Sequence, residues 1–170
     1  MHSCTPRHPR RHRPRRRWCR LGCVPALRDR TPEPERTHVI ELLLAFDDEA
    51  VLAHALAAAL DCPLAVVERH RFPDGETRLR LPARLPERVL LLRGLQDPNA
   101  KLTELLLTAA GARELGATRL TLISPYLAYM RQDMAFQPGE AVSQRHLGRS
   151  LAAWFDAVIT VDPHLHRVAS

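Results

Sequence analysis

The 170-residue sequence predicts an α/β fold, a layered sandwich with a mainly parallel sheet. Apolar runs of strand length recur between residues 39 and 161. Helix-length segments, each with its own start and stop residues, separate them. Strands alternating with helices cover a parallel sheet on both faces, so the strands become continuous apolar runs.

Residues 39–44 form the first such run. Asp47 or Asp48 is placed to cap a helix over 49–60, rich in Ala and Leu, which Asp61-Cys62-Pro63 stops. Residues 64–67 are a short strand. Residues 77–81 alternate polar and apolar, as a half-buried strand does. Residues 88–92 are a buried strand. Asp97-Pro98-Asn99 turns into a helix from about 101 to 115, closed by Gly116. A strand over 118–123, a helix over 143–154 and a last strand over 157–161 complete the set. Ligands of such sheets gather at the carboxyl ends of the strands.

An apolar fraction of 45% supports a core, and no apolar run is long enough to cross a bilayer. The net charge of +6 is unevenly placed. Residues 1–36 hold eleven arginines against three acids, a net of +8, which leaves −2 for residues 37–170. The first 36 residues lack apolar periodicity and are expected to be a disordered tail, because they cannot bury enough surface to offset their ordering entropy. A basic arm for nucleic acid, a targeting peptide and a stretch without function are its competing readings, and the last is preferred. Cysteines at 4, 19, 23 and 62 form no disulfide framework, so a reducing cytoplasm is the expected location. Cys19 and Cys23 lack a second pair at zinc-site spacing. Lys101 is the only lysine and is expected to be an exposed helix residue.

Three strings bear the chemistry. Pro125-Tyr126-Leu127-Ala128-Tyr129-Met130-Arg131-Gln132-Asp133 follows a predicted strand and groups a guanidinium, an amide and a carboxylate on one loop. A fixed guanidinium suits phosphate oxygens. The bland alternative is a surface ion pair flanked by packed tyrosines. Phe72-Pro73-Asp74-Gly75-Glu76 has the composition of a tight turn. Asp162-Pro163-His164-Leu165-His166-Arg167 closes the last strand, where Asp162 and His164, two apart on an extended backbone, share a side. A carboxylate and an imidazole there can hold a magnesium–nucleotide complex, although an isolated Asp-x-His is more often a satisfied loop pair.

In their chain order, 72–76, then 125–133, then 162–167, the strings resemble the amino-terminal domain of the ribose-phosphate pyrophosphokinases, over residues from about 39 to the end. The resemblance implies a phosphoribosyltransferase-like fold, the amino-terminal half of a two-domain subunit. It implies diphosphoryl transfer from ATP to ribose 5-phosphate, giving phosphoribosyl pyrophosphate and AMP, with Mg²⁺ as cofactor. By the match, Arg131 and Gln132 contact ATP, and Phe72, Asp74 and Glu76 serve the adenine site of a neighbouring subunit. His164 is the catalytic residue near the phosphates and, with Asp162, holds the metal. Pro73 stands where the family usually has Ser or another small polar residue, and Met134, Ala135 and Phe136 replace some of the family's positive charge.

Residues 37–170 are therefore expected to be the amino-terminal domain with the second domain absent. ATP is the expected partner, the ribose 5-phosphate site is largely missing, and a complete form is expected to be a homo-oligomer. Incomplete catalysis by this chain, a non-catalytic regulatory subunit, and nucleic-acid binding through the basic tail are the functional readings, in that order.

Overall fold

The computed structural model describes residues 40–161 and Pro163. Among the described residues, seven strands and three helices follow one another: β1 (Leu42–Ala45), a 3-10 turn (Asp47–Glu49), α1 (Ala50–Leu60), β2 (Leu64–Val66), β3 (Glu68–Arg71), β4 (Thr77–Arg80), β5 (Arg88–Leu92), α2 (Pro98–Glu114), β6 (Arg119–Ser124), α3 (Ser143–Trp154) and β7 (Ala157–Thr160).

Five strands form one sheet in the order β2-β1-β5-β6-β7, every pair parallel. Successive side chains point to opposite faces of a strand, and both faces are packed. Leu44, Val89, Leu91, Leu120 and Leu122 join Leu105, Ala109 and Ala112 of α2 and Leu147 and Leu151 of α3 in one cluster. Leu43, Ala45, Leu90 and Leu92 meet Ala53 and Ala57 of α1 in the other. This is the expected α/β sandwich, with α1 on one face and α2 and α3 on the other. Among the described residues no helix is long and apolar enough to cross a membrane.

The structure corrects several details. The first strand begins at Leu42 rather than 39. Neither Asp47 nor Asp48 caps α1: the 3-10 turn and α1 both start without a side-chain cap, because these carboxylates are drawn to arginines instead. α2 begins at Pro98, not 101, since proline at the first helical position lacks only an N–H that would have no partner there. The segment over 77–81 is not part of the main sheet. It is β4 of an antiparallel hairpin with β3, which the sequence did not signal. All four residues of β3, Glu68-Arg69-His70-Arg71, are exposed and polar, so no apolar alternation marks them.

The strand order also sets where the sheet opens. From β1 the chain moves outward to β2, then returns through the hairpin to β5 on the other side of β1. The connections therefore diverge at the carboxyl ends of β1 and β5, a switch point of the kind where open α/β sheets leave a crevice.

Candidate functional site

The loop after β6 keeps the place expected of it, at the carboxyl edge of the sheet. Ser124 Oγ donates to Tyr126 O (2.9 Å), and Leu95 N–H donates to the same carbonyl (2.9 Å), which ties the loop to the segment after β5. Tyr129 adopts φ 61° and its hydroxyl donates to Asn99 Oδ1 at the start of α2. Tyr126, Ala128 and Tyr129 share a shallow cavity with Leu95–Asn99.

Beyond Met130, which is buried in the core, the chain turns outward. Arg131 is exposed and makes no hydrogen bond or ion pair among the described residues. Gln132 is more engaged: its side-chain amide donates to Met134 O (3.2 Å) and reaches Glu140 Oε2 (3.5 Å), while its backbone carbonyl accepts the Gln144 backbone N–H (3.2 Å). Glu140 also accepts Phe136 N–H (2.7 Å), so one carboxylate closes the loop that leads into α3. Among the two expected ATP contacts here, a free guanidinium thus stands beside an amide that would have to exchange partners.

The loop of the β3–β4 hairpin carries the other expected contacts. Phe72 N–H donates to Glu76 O (2.8 Å), Gly75 N–H to Phe72 O (3.0 Å), and Glu76 N–H to Asp74 Oδ1 (3.1 Å). Gly75 sits at φ 93°, a left-handed conformation that side chains resist. Asp74 therefore holds the turn, and the turn offers Phe72 and Glu76 outward. The His70 and Phe72 rings meet edge-on, 4.7 Å between centroids. Gly75 and Glu76 line one cavity, and Tyr126 and Tyr129 line another; Arg131 and Gln132 line neither. The structure does not bring the two sets of expected contacts into one site within one chain. Asp162 and His164 lie outside the described residues.

Sequence reasoning missed the group at the switch point. Arg93, directly after β5, is fully buried. Its Nη1 donates to Asp48 Oδ1 (2.6 Å), its Nη2 donates to Glu104 Oε2, and its guanidinium lies 4.3 Å from the centre of the Phe46 ring. A cation over a ring face at this range is attracted by the ring's negative quadrupole. Glu104 on α2, itself buried, accepts from Arg69 Nη1 (2.8 Å) with its other oxygen. Arg69 reaches on to Asp47 (2.8 Å). Glu49 accepts Gly94 N–H, and Lys101 Nζ donates to Gly94 O (3.0 Å). Lys101 is thus half-buried and bonded, not the exposed helix residue expected. The only signal for Arg93 was a charge ending an apolar run, and its carboxylate partners lie far away in sequence.

Neighbouring carboxylates in this group are pushed in opposite directions. Burial raises Asp48, but the hydrogen bond and charge of Arg93, with the charges of Arg69 and Lys101, outweigh it and hold Asp48 below its ordinary value. Burial also raises Glu49, and there it prevails over the Gly94 N–H and Arg93. The cavity beside the group encloses about 590 Å³ and is lined by four cations (Arg69, Arg71, Arg93, Lys101) and four carboxylates (Asp48, Glu76, Asp97, Glu104).

Comparison with known proteins gives a consistent picture. The family model for the N-terminal domain of ribose phosphate pyrophosphokinase matches residues 41–154. A ribose-phosphate pyrophosphokinase of Methanopyrus kandleri is 43% identical over 124 residues, covering 72% of this chain and 43% of the relative. One of Saccharolobus solfataricus is 42% identical over 113 residues, covering 65% of this chain and 39% of the relative. The crystal structure of phosphoribosylpyrophosphate synthetase from Mycobacterium smegmatis superposes with a TM-score of 0.65 at 27% identity, covering 75% of this chain and 44% of that one. The chain thus spans less than half the length of these relatives.

Proposed function

Because this chain belongs to the ribose-phosphate pyrophosphokinase family, by a match to the family's N-terminal domain over residues 41–154, we propose that it supplies the ATP side of a diphosphoryl transfer to ribose 5-phosphate. The products of that transfer are phosphoribosyl pyrophosphate and AMP. The observation that carries this reading is the placement of Arg131. It stands exposed and unpaired among the described residues, on the loop leaving the carboxyl end of β6, within the matched segment.

A guanidinium in that setting can take phosphate oxygens in two parallel hydrogen bonds, and no bond to a described residue must first break. Gln132 beside it can turn its amide from Met134 O to a ligand at small cost, since both are surface partners. Phe72 and Glu76, presented by the hairpin turn, are free to meet a purine ring and its amino group, the first by stacking and the second by accepting a hydrogen bond. The separation of hairpin and loop within one chain accords with a site completed by a second copy. That makes a homo-oligomer the expected working form.

Mg²⁺ belongs to the same reading. Among the described residues no group of three or more His, Cys, Asp or Glu side chains is placed to hold an ion. By the family resemblance, Asp162 and His164, which lie outside the described residues, would hold the metal, with most of its oxygen ligands coming from the nucleotide's phosphates. When bound, the ion neutralises phosphate charge; positioning and electrostatics carry most of the barrier reduction in this type of chemistry.

Titration of ATP with magnesium into the purified 170-residue chain, followed by calorimetry, tests the proposal. Saturable binding with a Kd below about 1 mM supports it. Absence of binding at several millimolar ATP overturns it for this chain.

A further inference from the structure

Of the charged groups that line the switch-point cavity, the carboxylates balance the cations four to four, and Asp48 and Glu104 are already committed to Arg93 and Arg69. A free anion entering would meet as much repulsion as attraction. The cluster is better suited to holding parts of the protein together, and its connectivity shows which parts.

The hairpin has no backbone pairing with the five-stranded sheet. Two elements attach it to the body of the fold. Leu79 and Leu81 pack against the α2 side of the core. Arg69, on β3, reaches inward and donates to Glu104 (2.8 Å) and Asp47 (2.8 Å). Glu104 in turn is gripped by Arg93, which is fully buried and also bonded to Asp48. A chain of hydrogen-bonded ions therefore runs from the core, through α2, to the strand that leads three residues later to Phe72.

We propose that Glu104 is a positioning residue: fixed on one side by Arg93, it grips Arg69 on the other and so sets the stance of the hairpin whose turn presents Phe72 and Glu76. The link from stance to nucleotide rests on the function proposed above; the mechanical link rests on the geometry alone. A carboxylate that bridges two guanidinium groups, one oxygen to each, suits this role, because both contacts are charge-assisted hydrogen bonds and each guanidinium is held a second time, Arg93 by Asp48 and Arg69 by Asp47.

Hydrogen exchange on the full chain tests the proposal. Arg69→Gln cuts the hairpin side and leaves the buried Glu104–Arg93 pair intact, so the sheet stays folded even where Glu104→Gln does not. In Arg69→Gln, amides of residues 68–80 are expected to exchange at least about tenfold faster, with residues 89–92 and 120–123 within about twofold of wild type. Glu104→Gln gives the same pattern if it folds, and Arg69→Lys, which keeps one charged donor, falls between. Unchanged hairpin exchange in Arg69→Gln overturns the proposal. So does equal acceleration in hairpin and sheet, which marks a general stabilising role. ATP titration of the same variants separates the two readings. Failure of the wild type to bind ATP sinks the proposed function and leaves the exchange result to decide the mechanical claim. Where the wild type binds, a loosened hairpin with unchanged ATP affinity overturns the link to the nucleotide.

Discussion

Arg93 Nη1 and Asp48 Oδ1 lie 2.6 Å apart and join the end of β5 to the turn after β1, across the point where the strand order reverses. A buried side chain thus lines the cavity at the place where open α/β sheets leave a crevice. Arg93 is fully buried, and Asp48 and Glu104 both depend on it for charge compensation. Arg93→Met should therefore cost about 3 kcal/mol, the low end for breaking a buried ion pair, because the buried Glu104 carboxylate keeps Arg69 and Asp48 is exposed to water. Urea denaturation of the variant against wild type measures it. A loss under 1 kcal/mol would mean that the carboxylates find water or Arg69 instead.

Arg131 offers the opposite case. It is exposed and has no partner among the described residues, so Arg131→Ala should leave thermal stability unchanged within about 0.5 kcal/mol. If the guanidinium meets phosphate, the same change should weaken ATP binding about tenfold or more, since charge-assisted hydrogen bonds contribute roughly 1.5–3 kcal/mol. Calorimetric titration beside a melting curve separates the two effects. Equal affinity in both proteins would remove Arg131 from the site.

Asp156 predicts a pH dependence. Burial raises its carboxyl, but the Leu120 N–H (2.7 Å), the hydrogen bond from Arg113 (2.9 Å) and nearby arginine charge outweigh it and hold the group below its ordinary 3.8. A carboxylate depressed in the folded state binds its proton more readily when unfolded. Its contribution is complete above the unfolded value and is lost as pH falls through the folded one. Stability should decline below about pH 4, and Asp156→Asn should flatten that decline while lowering stability at pH 7. Denaturant melts of both proteins from pH 7 to pH 3 give the comparison; parallel curves would assign the acid loss to other groups.

Gly116, which ends the turn after α2, has φ 122°, and a Cβ there would stand 2.8 Å from the carbonyl oxygen of Leu85. Gly116→Ala adds both a left-handed strain and a clash with backbone that cannot rotate away. A loss of more than about 1 kcal/mol is expected. Differential scanning calorimetry would show it as a lowered Tm, and an unchanged Tm would show that the turn rearranges freely.

Much of the fold was legible because its strands are continuous apolar runs. Leu90, Leu91 and Leu92 are all buried, and they could only read as a strand covered on both faces. β3 was illegible for the converse reason: its four side chains are exposed, and its strand character comes from pairing with β4. The site divides in the same way. The string from Pro125 to Asp133 announces itself through composition at the end of a strand. Arg93 acquires meaning only when folding brings Asp48 from 45 residues upstream and Glu104 from 11 residues downstream. Local sequence carries no record of such a meeting, because each residue alone looks like a surface charge.

The chain's single lysine gives this cluster a chemical handle. Lys101 Nζ is held on the Gly94 carbonyl at the cavity wall. An amine-directed reagent would find one lysine side chain in these 170 residues, already positioned beside the Arg69–Glu104–Arg93 chain. The speed of that one acylation would report how often the ammonium leaves its carbonyl, and a fluorophore attached there would sit within view of the hairpin, with no cysteine to introduce and no competing lysine to remove.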